Sequence, residues 1–132
     1  MLILNFSHPL TKAQQTKIEA ITGQSIDEIR EIPVQFETAK PFVPQLAEML
    51  GQLSLTPEEW QTVPILLVLP ALNFITAMLI AELHGKMGYF PAFVRISPVR
   101  DSVPMRYEVA EVINLQQIRD DARKTRREDK AA

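Results

Sequence analysis

The chain has 132 residues, of which 46% are hydrophobic and 23% charged, with a formal net charge of -2 and no cysteine. That length suits one domain with a real core. The charge argues against coating long nucleic acid, which calls for a basic face, and the lack of cysteine excludes disulfides, thiolate metal sites and a cysteine nucleophile.

The N-terminus carries no basic segment followed by a small-residue cleavage site, so no signal peptide is expected, and a reducing cytoplasm fits the absence of thiols. Val63 to Leu83 is long and apolar enough to raise the question of a membrane span. Pro64 and Pro70 divide it into strand, turn and buried helix, so no membrane partner is expected.

Met1 to Phe6 is a short apolar run with Asn5 inside it, which predicts a buried strand. It leads into Ser7-His8-Pro9-Leu10-Thr11. Thr11 and Gln14 form a capping-box pattern and Gly23 a stop, which predicts a helix over Lys12–Thr22. Ile32, Val34 and Phe36 alternate with polar residues, which predicts a second strand over Ile29–Phe36, placed at a sheet edge by Pro33. Phe42, Leu46, Met49, Leu50 and Leu53 fall on one face of a second helix. In "LTPEEW", Thr56 caps, Pro57 opens and Glu59 closes a short helical turn.

Val63–Leu69 reads as the third strand. The next helix, Ala71–Lys86, is apolar on most sides, which implies burial against the sheet and against something else, such as a second subunit. Gly85 is its expected stop. Ala92–Pro98 and Tyr107–Ile113 read as the last two strands, joined by a link short enough for an antiparallel pair. Asn114 and Gln117 repeat the capping pattern and open a final helix. The domain is expected to span 1–118, with 119–132 a charged helix end that frays.

This order predicts an α/β fold: a Rossmann-like, mostly parallel sheet of about five strands, helices on both faces and the last strand pair antiparallel. Ligands in such sheets bind beyond the carboxyl ends of the strands, where the strand order reverses. Two turns qualify, Ser7-His8-Pro9-Leu10-Thr11 after strand one and Pro70-Ala71-Leu72-Asn73 after strand three. Both precede a helix N-terminus, which favours an anion. Ser7 and Thr11 can donate hydroxyl hydrogen bonds to phosphate, charged His8 can donate from either ring nitrogen, and Asn73 can bond a base edge or a ribose. Against this stands plain turn and cap chemistry, above all for Thr11.

Neither GxGxxG nor GxxxxGK[ST] is present, which counts against nicotinamide and triphosphate cofactors, so none is expected. His8 and His84 stand without a local acidic cluster, so no metal is expected. "LHGKMGYFP" offers either a helix stop with an aromatic plug or, with His84 and Lys86 as cationic contacts, a ligand or subunit surface. Arg95 and Arg106 on the last strands are expected to pair with carboxylates such as Glu108 or Glu111.

The strings "LNFSHPLT", "EEWQTVPILLVLPALN", "AELHGKMGYFPAFVRI" and "YEVAEVINLQ" resemble a small CRISPR-associated accessory family of type III systems, one of the Csx-type proteins. The resemblance covers about Met1 to Arg119. It implies a Rossmann-like fold related to CARF domains and binding of a cyclic oligoadenylate second messenger, chiefly cyclic tetra-adenylate. Related small proteins of these systems are ring nucleases, whereas this family looks like a sponge that sequesters the messenger. Carried over, the binding role falls on Ser7, His8 and Thr11 and on Ala71, Leu72 and Asn73.

A homodimer presents the same two turns twice, each to half of the ring, and stacked dimers around a shared ring extend the idea. Two rivals remain. One is a metal-independent ring nuclease with His8 as acid or base and Lys86 as a weaker charge stabiliser. The other is a dimeric interaction module without a nucleotide.

Overall fold

The computed structural model describes the backbone of residues 1–131 and the side chains of residues 1–127. Its elements are β1 (Leu2–Asn5), α1 (Lys12–Thr22), β2 (Glu28–Glu31), α2 (Phe42–Gly51), α3 (Pro57–Thr62), β3 (Ile65–Val68), α4 (Asn73–Met87), β4 (Ala92–Pro98), β5 (Tyr107–Asn114) and α5 (Leu115–Ala131). The strands form one five-stranded sheet in the order β2-β1-β3-β4-β5. The first four run parallel, and β4 pairs with β5 antiparallel. The fold is the expected α/β, Rossmann-like arrangement.

Alternation along the strands feeds two cores, because successive side chains point to opposite faces. Leu2, Leu4, Phe6, Ile65 and Leu67 pack with Leu46 and Leu50 of α2, Trp60 of α3 and Leu79 and Leu83 of α4. On the other face Ile3, Leu66, Val68, Val94 and Val109 pack with Ile18 of α1. β1 and β3 are therefore buried on both faces, which is why they read as unbroken apolar runs. The segment between Val63 and Leu83 is strand, turn and helix, and no helix among the described residues is long and apolar enough to cross a membrane.

Two local expectations are corrected. The second strand ends at Glu31 and not at Phe36. Its partner β1 stops at Asn5, the Ile32 N–H makes the last bond to the Asn5 carbonyl (2.9 Å), and Pro33 has no N–H to offer. Val34 and Phe36 still pack against the core from an unpaired segment. Gly85 does not stop α4. The helix runs on to Gly88, whose φ of 82° is left-handed and whose N–H closes on the His84 carbonyl at 2.9 Å. The final helix, α5, continues through Ala131, so residues 119–131 are its charged end, while Ala132 lies outside the described residues. Pairs one turn apart support it, Gln116 to Asp120 (3.1 Å) and Gln117 to Asp121 (2.9 Å).

Candidate functional site

The strand order reverses between β1 and β3, as the choice of turns required. Asn5 and Val68 are register partners, and the Phe6 N–H bonds the Val68 carbonyl at 2.9 Å. Both turns therefore leave one end of the sheet, but they diverge. Ser7 to Thr11 passes to α1 on one face, and Pro70 to Asn73 passes to α4 on the other.

The first turn is organised by Asn5, which is completely buried. Its Nδ2 donates to the His8 carbonyl at 2.8 Å, and its Oδ1 accepts from the Ser7 N–H at 2.9 Å. A buried polar side chain needs both partners, so the amide pins the backbone of the turn from below. Ser7, His8 and Pro9 are left exposed while Leu10 is tucked into the α1-side core. Among the described residues, neither the Ser7 hydroxyl nor the His8 imidazole makes a side-chain hydrogen bond. Sequence reading saw Asn5 only as a polar interruption. The signal available was its place as the last residue of a buried strand ahead of a Ser-His-Pro turn.

Thr11 has the cap role that weighed against it: its Oγ1 accepts from the Gln14 N–H (3.2 Å), and Gln14 Oε1 accepts from the Thr11 N–H (2.9 Å). Gln14, itself buried, also donates from Nε2 to the Tyr107 carbonyl at 2.9 Å. One side chain thus closes the start of α1 and ties it to the outer strand β5. Helix geometry leaves the Lys12 and Ala13 N–H groups without an intrahelical acceptor.

The result is a cleft of about 870 Å³ between the start of α1 and the β4–β5 hairpin. Ser7, His8, Pro9, Thr11, Ala13 and Gln14 form one wall; Ile96, Val99, Met105, Arg106, Tyr107 and Glu108 form the other. The hairpin wall was missed, because "RDSVP" reads from sequence only as a link. Arg106 stands just ahead of β5 and makes no ion pair among the described residues, whereas Arg95 pairs with Glu111 as expected (2.7 Å).

The second turn does not line this cleft. Pro70 is buried, and Ala71, Leu72 and Asn73 are exposed at the same end of the sheet. Asn73 Oδ1 accepts from the neighbouring Phe74 N–H at 2.9 Å, so part of its capacity serves the helix start. His84 and Lys86 lie elsewhere. They belong to the last turn of α4, which starts at the carboxyl end of the sheet and runs toward the opposite end. At 1.5 Å per residue, roughly 16–20 Å of helix separates them from Asn73. His84 stacks on Phe90 with ring centroids 4.1 Å apart, and Lys86 pairs with Glu82 at 3.5 Å. Within one protomer, His84 and Lys86 therefore stand apart from the Pro70–Asn73 turn. Among the described residues, no group of His, Asp and Glu is placed to hold a metal ion.

Comparison with protein-family models, curated proteins and solved structures finds no match for this chain.

Proposed function

We propose that this protein binds a cyclic oligoadenylate, chiefly cyclic tetra-adenylate, and holds it uncleaved, damping type III CRISPR signalling in the cytoplasm. The observation that carries the reading is the Ser7-His8 turn. Its backbone is pinned by Asn5, its exposed Ser7 and His8 line the cleft, and Arg106 lines the opposite wall. Those groups and the Lys12 and Ala13 N–H donors suit a phosphodiester in a protein of net charge -2. Few donors suffice when they are preorganised.

The cleft's size supports a shared ligand. About 870 Å³ is within the usual range for a small-molecule site. A ring of four nucleotides exceeds it, so each protomer of a homodimer takes part of the ring, and the Pro70–Asn73 turn at the same end of the sheet meets the remainder. Stacked dimers around shared rings extend the same arrangement.

One observation favours a second reading. An imidazole and a guanidinium on facing walls are the acid-base group and charge stabiliser that a metal-free ring nuclease needs. Incubating labelled ring with excess protein, without metal, and resolving both complex and products tests the two. Intact ring in the complex supports sequestration. Linear products that disappear in His8→Ala refute it in favour of the nuclease, and neither complex nor product at micromolar protein refutes both.

A further inference from the structure

The final helix carries a charge pattern that neither the sheet nor the cleft uses. Arg119, Arg123, Arg126 and Arg127 fall at i, i+4, i+7 and i+8, on one face of α5. At 1.5 Å per residue they span about 12 Å of its length. The helix is tied to the body at its start, where the Phe90 N–H donates to Gln116 Oε1 (2.8 Å). Beyond that point Arg119, Arg126 and Arg127 are exposed and Arg123 is half-buried. The basic face that a net charge of -2 argued against is therefore present, confined to one helix, because most acidic residues precede it in the chain.

This face is short of counter-charge. Arg119 Nη1 donates to Asp120 (2.9 Å), and Asp121, on the opposite side of the helix, stands 3.9 Å from Lys124. Among the described residues, Arg123, Arg126 and Arg127 make no ion pair. The Nε of Arg123 is out of solvent and has no hydrogen-bond acceptor among the described residues. Its guanidinium is held below the ordinary arginine range by Arg119 first, then by Arg127, partial burial and Arg126; the opposing pull of Asp120 is the smallest effect. Like charges one helical turn apart destabilise a helix, so an anion lying along this face relieves a repulsion built into it.

The geometry selects among anions. A guanidinium is a planar fork that takes two phosphate oxygens at once, and four of them in a row call for repeated phosphates. In a duplex major groove about 12 Å wide, a helix about 10–12 Å across meets phosphates on both sides. Asp121 on the back of α5 would face one of those rows. A single strand lies along one face and leaves Asp121 in water. No aromatic residue stands among the arginines to stack on bases, so the contact is with the backbone.

We infer that the arginine face of α5 binds the phosphodiester backbone of single-stranded nucleic acid without base preference. This surface is separate from the Ser7-His8 cleft, which no α5 residue lines, and it does not depend on the cyclic ligand proposed there.

Fluorescence anisotropy of a labelled oligouridylate, which offers no adenine, tests the inference. Four arginine–phosphate contacts on a single strand should make affinity fall about fiftyfold between about 50 and 200 mM salt. The triple variant Arg123→Gln/Arg126→Gln/Arg127→Gln leaves one arginine, so it should bind at least about tenfold more weakly at low salt and lose only about threefold over the same range. Glutamine is as good a helix former as arginine, and an unchanged circular dichroism spectrum confirms that α5 persists. His8→Ala should bind the strand like wild type. Wild type that leaves the strand free at micromolar protein and low salt overturns the inference, as does a triple variant that binds unchanged. Loss of the strand in His8→Ala overturns the separate surface and moves the contact to the cleft. Polyglutamate that displaces the strand at equal charge assigns the face to an acidic protein instead, and a duplex of the same length that binds more tightly assigns it to a groove; either result overturns the single-strand reading.

Discussion

Replacing Asn5 with leucine tests the foundation of the site without touching any group that faces the cleft. The substitution keeps side-chain size but removes two hydrogen bonds, to the His8 carbonyl at 2.8 Å and from the Ser7 N–H at 2.9 Å. Each is worth about 1 kcal/mol net, and a backbone group left unpaired costs about 1–3 kcal/mol when fully buried. Ser7 and His8 are exposed, so water recovers part of that cost, and the leucine gains some apolar burial. The balance is about 2 kcal/mol of destabilisation, or roughly 8 °C in Tm at about 4 °C per kcal/mol for a chain of this size. Thermal unfolding followed by circular dichroism reads the shift, and titration with cyclic tetra-adenylate reads the turn. A turn released from below must be ordered by the proposed ligand, so affinity should fall about tenfold even well below the melting temperature. Asn5→Asp separates the two bonds: it keeps the acceptor for Ser7 but loses the donor to His8 and buries a charge, and it should be the less stable of the two. Asn5→Leu protein that melts within 1–2 °C of wild type and binds unchanged would falsify the claim that this amide shapes the site.

Other consequences are as direct. Thr11→Ala removes the cap of α1 and should lower stability by about 1 kcal/mol in urea unfolding, with Thr11→Ser recovering most of it. Gly88→Ala forces a side chain into a left-handed position (φ 82°) and should cost about 1 kcal/mol, whereas Gly85→Ala, within α4 and with open space at its Cβ, should stabilise by up to about 1 kcal/mol. The hydrogen bonds that Glu59 accepts from the Thr56 backbone and side chain hold its carboxyl below the usual range. Its contribution is therefore complete above the ordinary glutamate value of about 4.3 and is lost as pH falls through its lower folded value; in Glu59→Gln, the drop in Tm below pH 4.5 should be shallower. Lys86→Ala, at the far end of α4, should leave the affinity of the proposed ligand unchanged in the same titration; a tenfold loss would place the α4 C-terminus of a second protomer at the ring.

Local physical rules made much of this protein legible in its sequence. Both capping boxes, at Thr11–Gln14 and Thr56–Glu59, form as their spacing dictates, because a cap needs only residues within one turn of each other. The unbroken apolar runs of β1 and β3 announce strands covered on both faces, and their alternation with helices implies a parallel sheet. The two turns at the switch point follow from that topology. Pairing and convergence are different in kind. Whether Ile32–Phe36 is a strand depended on where β1 ended, which no feature of that segment encodes. The role of Asn5 needed the path of the chain after it. That the Ser7-His8 turn meets the β4–β5 hairpin, and not the Pro70–Asn73 turn, was decided by α1 and α4 leaving the sheet on opposite faces and by Gln14 reaching a carbonyl 93 positions along the chain. Those contacts join residues with no spacing to read, so only the folded chain brings Arg106, Met105, Tyr107 and Glu108 to the site.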